Sequence, residues 1–184
     1  MFAQDLGVRQ FNQEPIAVGP ALKLDPKLVK KISERVAIFS GMPQDKLLST
    51  LAIGEVQPFK CGDALFHEND LGDSFYVVIV GAVDIQKMRD EKPVVMATLG
   101  LGECFGEMAL VRDDVRSATV VAQADCVTIC FRRDKIEANP VIATIIYKNI
   151  AAILARRLDD RTVKLADLVA RNQTETNAAA NPAN

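Results

Sequence analysis

The sequence predicts a mainly β domain with helices on either side. Three observations predict it. Seven short β-prone runs divided by turn residues lie between residues 54 and 133, a helical pattern opened by proline precedes them, and an apolar stripe free of Gly and Pro follows. Many short strands at regular turn spacing belong to a sandwich, a jelly roll or a barrel. A chain of 184 residues, 49% hydrophobic and 25% charged, fits one globular domain with extensions at both ends. It buries enough surface to need no disulfide support.

Residues 1–23 show no sustained period and carry two prolines, so an irregular arm is expected there. The domain proper is set at 24–138. Asp25 is placed to cap a helix with Pro26 at its first position, and Leu28, Ile32, Val36 and Phe39 recur at helical spacing. Gly41-Met42-Pro43 ends that helix and leads into a short second one, QDKLLSTLA. The β-prone runs are EVQPF, ALFHE, SFYVVIV, AVDIQKM, VVMATL, ATVVA and CVTICF. Their separators are Cys61-Gly62-Asp63, Asn69-Asp70, Leu71-Gly72-Asp73, Gly81 and Gly100–Gly102. From Asn139-Pro140 a long helix is expected over 139–171, with Ile142, Ile145, Ile146, Ile150, Ile153, Leu154, Leu158, Leu165 and Leu168 on one stripe. At ~1.5 Å per residue it would run roughly 45 Å, beyond the surface of a small roll, so self-association through it is expected. The polar tail, 172–184, is expected to be disordered.

Composition narrows the function. A net charge of −2 argues against a strongly electrostatic nucleic-acid binder. No stretch nears the roughly 20 apolar residues that span a bilayer, and the N-terminus lacks a secretory layout, so the expected location is the cytoplasm. Cys61, Cys104, Cys126 and Cys130 are not spaced as zinc ligands and read as reduced structural thiols. His67 is the only histidine. Its solitude removes both a multi-histidine metal site and a Ser-His-Asp or Cys-His set, so no enzyme and no metal are expected.

The chemistry concentrates in residues 102–119, GECFGEMALVRDDVRSAT. A cyclic phosphodiester with its ribose wants a guanidinium, converging backbone amides, an ionised acceptor for the 2′-hydroxyl, and small residues for close approach. Gly106 permits the approach. A helical turn through Glu107–Leu110 would aim free N–H groups at a phosphate. Arg116 supplies a charge-assisted contact, Ser117 a hydroxyl and Ala118 an amide, while Glu107 is placed to accept from the ribose.

FGEMAL followed by VRSATV, with Glu107 and Arg116 nine positions apart, resembles the phosphate-binding cassette of cyclic-nucleotide-binding domains of the catabolite-regulator and protein-kinase-A regulatory type. Upstream, LFHENDLGDSFYVVIVGAVDI is similar to the strand-turn-strand block that enters that cassette. The resemblance covers about residues 38–135. It implies a double-stranded β-helix (jelly roll) with N-terminal helices and a long C-terminal helix. It also implies cAMP or cGMP as ligand with no cofactor, cAMP being favoured by the bacterial-looking layout. Glu107 would hold the ribose and Arg116 the phosphate. Phe105, Gly106, Met108, Ala109, Ser117 and Ala118 would complete the cassette, and Met96 and Leu99 would form an apolar shelf. Gly72 and Gly81 would serve the fold. Past Arg156-Arg157-Leu158, Arg161 and Thr162 occupy the base-contacting places, although an arginine there departs from the family's small hydroxyl residues.

Plainer readings stand beside these. Arg116 alone would pair with Asp113 or Asp114 on the surface, and Glu107 alone would be a helix-start carboxylate. Arg112 reads as solvated between the cassette halves. After the long helix about a dozen polar residues remain, too few for a two-helix DNA-reading motif. The expectation is therefore a sensor whose ligand draws the cassette inward, shifts a hinge near Phe131–Pro140 and reorients the long helix of a homodimer toward a partner protein. A β-roll scaffold that dimerises without ligand is the alternative, and the intact Glu107/Arg116 pair weighs against it.

Overall fold

The computed structural model describes residues 16–17, 32, 34–112 and 115–180, and the chain divides into two compact units that meet at Asn149 and Ile150. In the first, a 3-10 turn (Ala37–Phe39) and helix α1 (Gln44–Ala52) precede the sheets. The strands are β1 (Ile16–Ala17), β2 (Glu55–Phe59), β3 (Ala64–Phe66), β4 (Ser74–Val80), β5 (Val83–Arg89), β6 (Lys92–Leu99), β7 (Cys104–Phe105), β8 (Thr119–Ala122) and β9 (Cys126–Arg132). Helix α2 (Glu107–Arg112) lies between β7 and β8, α3 (Arg133–Glu137) follows β9, and α4 runs from Pro140 to Ala180.

The pairing is antiparallel throughout and forms two sheets, in the orders β1-β2-β9-β4-β7 and β3-β8-β5-β6. This is the expected jelly roll with flanking helices. Its core is filled by alternate residues of facing strands. Tyr76 and Val78 of β4, Phe105 of β7, and Cys126 and Cys130 of β9 meet Val83, Leu99, Val120 and Ala122 of the other sheet. β4 is buried along nearly its whole length because its opposite face is covered too. There Phe131 stacks on Phe75 at 5.0 Å and meets Phe39 edge-on at 5.6 Å.

All seven runs expected as strands form strands, with ends displaced by up to two residues. Three expectations are corrected. Ile16–Ala17, placed in an irregular arm, pairs with β2 through Ile16↔Val56. β7 was not anticipated, since two residues between glycine turns are too short to alternate. Helix α4 continues past residue 171, through Asn172–Ala180, where no Gly or Pro interrupts it before Pro182. Its start agrees: Asn139 Oδ1 accepts from the amides of Val141 (3.1 Å) and Ile142 (3.3 Å), with Pro140 at the first helical position. Most of the first expected helix, with Asp25, Pro26 and Leu28, lies outside the described residues. The cysteines are free thiols; Cys61 is exposed, and burial pushes the Cys126 thiol up to about 11.

Candidate functional site

The turn between β3 and β4 and the segment after α2 are built together. Asp70 accepts the His67 amide on its carboxylate (2.7 Å), and Asn69 adopts the left-handed region at φ 72°. That turn then takes both backbone groups of Arg116. The Asn69 amide donates to Arg116 O (2.9 Å), and the Arg116 amide donates to Asp70 O (2.7 Å). The arginine's place is thus fixed before its side chain makes any contact.

The guanidinium is buried, with Arg116 only 4% exposed. Nη1 donates to Ser74 O (2.6 Å) and Gly106 O (2.9 Å), and Nη2 donates to Ser74 Oγ (2.9 Å). Among the described residues Nε has no hydrogen-bond partner. The charge lies 4.2 Å from the Phe66 ring centre and 5.8 Å from that of Tyr76. Burial pulls it below the usual arginine value, while Tyr76, Cys130, Asp73 and Asp70 pull the other way. It remains a cation at any physiological pH. Among the described residues no carboxylate forms an ion pair with it. Asp113 and Asp114, its surface alternatives, lie outside those residues. Burial raises both the Tyr76 hydroxyl and the Cys130 thiol in this region.

Glu107, 2% exposed, opens α2 directly after Gly106, whose carbonyl Arg116 holds. The acidic and basic candidates are therefore both buried at the start of α2. Gly106 has φ +77°, and a Cβ there would stand 2.7 Å from Arg116 Nη1, so only glycine fits. The half-buried Met108 accepts from Ser117 Oγ on its sulfur at 3.5 Å, and Ala109 and Ala118 are buried.

The other candidates divide. The Phe105 ring belongs to the core, stacked on Tyr76 at 5.2 Å. Leu99 is a core residue as well. Met96, expected beside it on one shelf, is 46% exposed and is the extra residue where the β5–β6 register shifts between Ile85 and Gln86. Arg161 and Thr162 belong to the second unit, where both are exposed and Thr162 Oγ1 donates to Leu158 O (2.9 Å).

Several site residues escape a reading of sequence. Ser74 contributes its carbonyl and hydroxyl, and Phe66 and Tyr76 their ring faces. Gly72 does more than serve the fold, because a Cβ there would lie 2.8 Å from Arg116 Nε. Gly81 is the structural glycine expected: its φ is +77°, and a Cβ would meet Asp125 O at 2.6 Å.

Residues 56–138 match the family model of the cyclic nucleotide-binding domain. The chain is similar to cGMP-dependent protein kinase 2 of Homo sapiens, 32% identical over 111 residues, which are 59% of this chain and 14% of the kinase. It is also similar to the cyclic AMP receptor protein of Thermus thermophilus, 29% identical over 143 residues, which cover 77% of this chain and 66% of that protein. The crystal structure of the Thermus thermophilus catabolite activator protein aligns with a TM-score of 0.65 and 30% identity, over 72% of this chain and 63% of that one. Among the described residues no helix is long and apolar enough to cross a membrane. The jelly roll, the buried cassette and the matched segment agree, and it is residues 56–138 that carry the likeness to the cyclic nucleotide-binding domain.

Proposed function

We propose that the chain is a cyclic-nucleotide sensor. Arg116 takes the cyclic phosphate, Glu107 the ribose 2′-hydroxyl, and Gly106, Met108, Ala109, Ser117 and Ala118 line the cassette. One observation carries this reading: among the described residues, a buried guanidinium makes its three hydrogen bonds to neutral acceptors, and its Nε makes none. A buried cation without a counter-charge is costly, and a small anion is what would balance it. Met96, apolar and exposed, is suited to meet a base.

The ligand we favour is cAMP, because the likeness to the cyclic AMP receptor protein runs over more of this chain than the likeness to the cGMP-dependent kinase. A cGMP reading has its own support. The Ser117 hydroxyl is engaged only with a sulfur at 3.5 Å, a weak acceptor, and is available to a guanine amino group. Output would pass through α3 and α4 to a partner protein, from a homodimer joined by α4.

Calorimetric titration with cAMP and with cGMP tests the reading. Saturable binding of one nucleotide is expected, weakened by about 2–5 kcal/mol in Arg116→Ala, which leaves the phosphate charge unpaired. Heat-silent titrations with both nucleotides, accompanied by no shift in melting temperature, would reject it.

A further inference from the structure

Two arginines at the end of β9 are tied to the residues that hold Arg116. The Arg133 amide donates to Asp73 O (2.7 Å), and Arg132 Nη2 lies 3.0 Å from the Asp73 carboxylate. Asp73 directly precedes Ser74, whose carbonyl and hydroxyl receive the Arg116 guanidinium. The second tie comes from the other side. Arg133 Nη2 donates to Ala109 O (2.7 Å), in the middle of α2. Arg133 is also the first residue of α3, so one side chain joins the helix of the cassette to the helix that leads into α4.

The Arg132 bond and the Arg133 bond differ in kind. Arg132 is half-exposed, and its contacts with Asp73 and Asp134 lie in solvent, where such pairs contribute little. The Arg133 contact is partly buried and made to a helix carbonyl, so displacement of α2 must either carry the guanidinium along or break the bond. A bond that is either kept or broken offers two discrete arrangements, the kind of element that can couple two sites.

We infer that Arg133 is the positioning residue that links nucleotide occupancy of the cassette to α3 and the first turns of α4, through its bond to Ala109 O. This rests on the cassette binding a cyclic nucleotide, as proposed above. Arg116 and Glu107 would gather α2 around the ligand; Arg133 would transmit that displacement; Asp73 O would serve as the fixed point about which α3 turns. Arg133 touches no ligand in this scheme and acts through its bond to Ala109 O.

Hydrogen exchange over residues 134–149, measured on the full chain with and without saturating cAMP and cGMP, tests it. The variants are Arg133→Met, which keeps the aliphatic stem but removes the donor, and Arg133→Lys, which restores one donor. Wild type should show a nucleotide-dependent change in protection. Arg133→Met should reduce that change at least about fivefold while still binding nucleotide, and Arg133→Lys should recover most of it. A purely structural role would instead lower protection equally in the free and bound states, and that result overturns the inference. So does a full nucleotide response in Arg133→Met, with the sensor reading left standing. If wild type binds neither nucleotide, the sensor reading itself has failed and this inference falls with it. Should Arg133→Met not fold, Arg133→Gln takes its place with the same expected loss, and a full response there overturns the inference equally.

Discussion

At Gly72 an added methyl would lie 2.7 Å from Ala109 Cβ and 2.8 Å from Arg116 Nε, in a region with little room to yield. Gly72→Ala should therefore cost about 1–3 kcal/mol of stability from overpacking. Because the displaced group is the guanidinium, it should also weaken nucleotide binding about tenfold or more. Thermal melting together with titration checks both, and an unchanged affinity would show that Arg116 can settle elsewhere. Glu107 and Arg116 were singled out by the resemblance of the whole segment, since each alone reads as an ordinary surface or helix-start charge; the structure buries both. Ser74, Phe66 and Tyr76 were not singled out. Their contributions are a carbonyl and hydroxyl, and two ring faces, on residues that serve a β-strand core equally well. Met96 and Leu99 were expected on one shelf from the resemblance alone; strand alternation puts positions three apart on opposite faces, and Leu99 lies in the core while Met96 is exposed at the register shift.

At the scale of elements, the β5–β6 hairpin closes on Asp90 and Glu91, at φ 47° and 63°, with Arg89 opposite Lys92. Both residues occupy the left-handed region that a two-residue hairpin needs, without the glycine or asparagine that takes it most readily. Glu91→Gly should raise stability by about 0.5–1 kcal/mol, read as a higher denaturant midpoint at unchanged slope. A lower midpoint would mean that chain entropy outweighs the relieved strain. Strands with clear apolar alternation and turn residues at their ends could be delimited from sequence to within two residues. β1 and β7 could not, because two residues carry no period and owe their conformation to the partner strand. The far end of α4 was read too short because polarity was taken as the stop signal. Polar side chains do not stop a helix by themselves, and no Gly or Pro lies within 172–180.

At the scale of the whole molecule, Leu158, Leu165 and Leu168 of the second unit are 66%, 62% and 57% exposed. Single exposed leucines need no explanation, but three at helical spacing on one segment do. If a second copy covers them, light scattering should return twice the chain mass, and Leu158→Glu with Leu165→Glu should return one. A monomeric wild type at high micromolar concentration would remove the dimer from the proposal. The fold class was the most legible property at this scale, because it follows from the number and spacing of strands and not from any one residue. The turn over residues 67–70 has a consequence for anyone who would move this site elsewhere. Since both peptide groups of Arg116 are anchored to Asn69 and Asp70, residues 102–119 grafted alone onto another β-roll would arrive without their scaffold. A transplant would have to bring the β3–β4 corner with it, and a circular permutation opened at that corner would disable recognition while sparing the sheets.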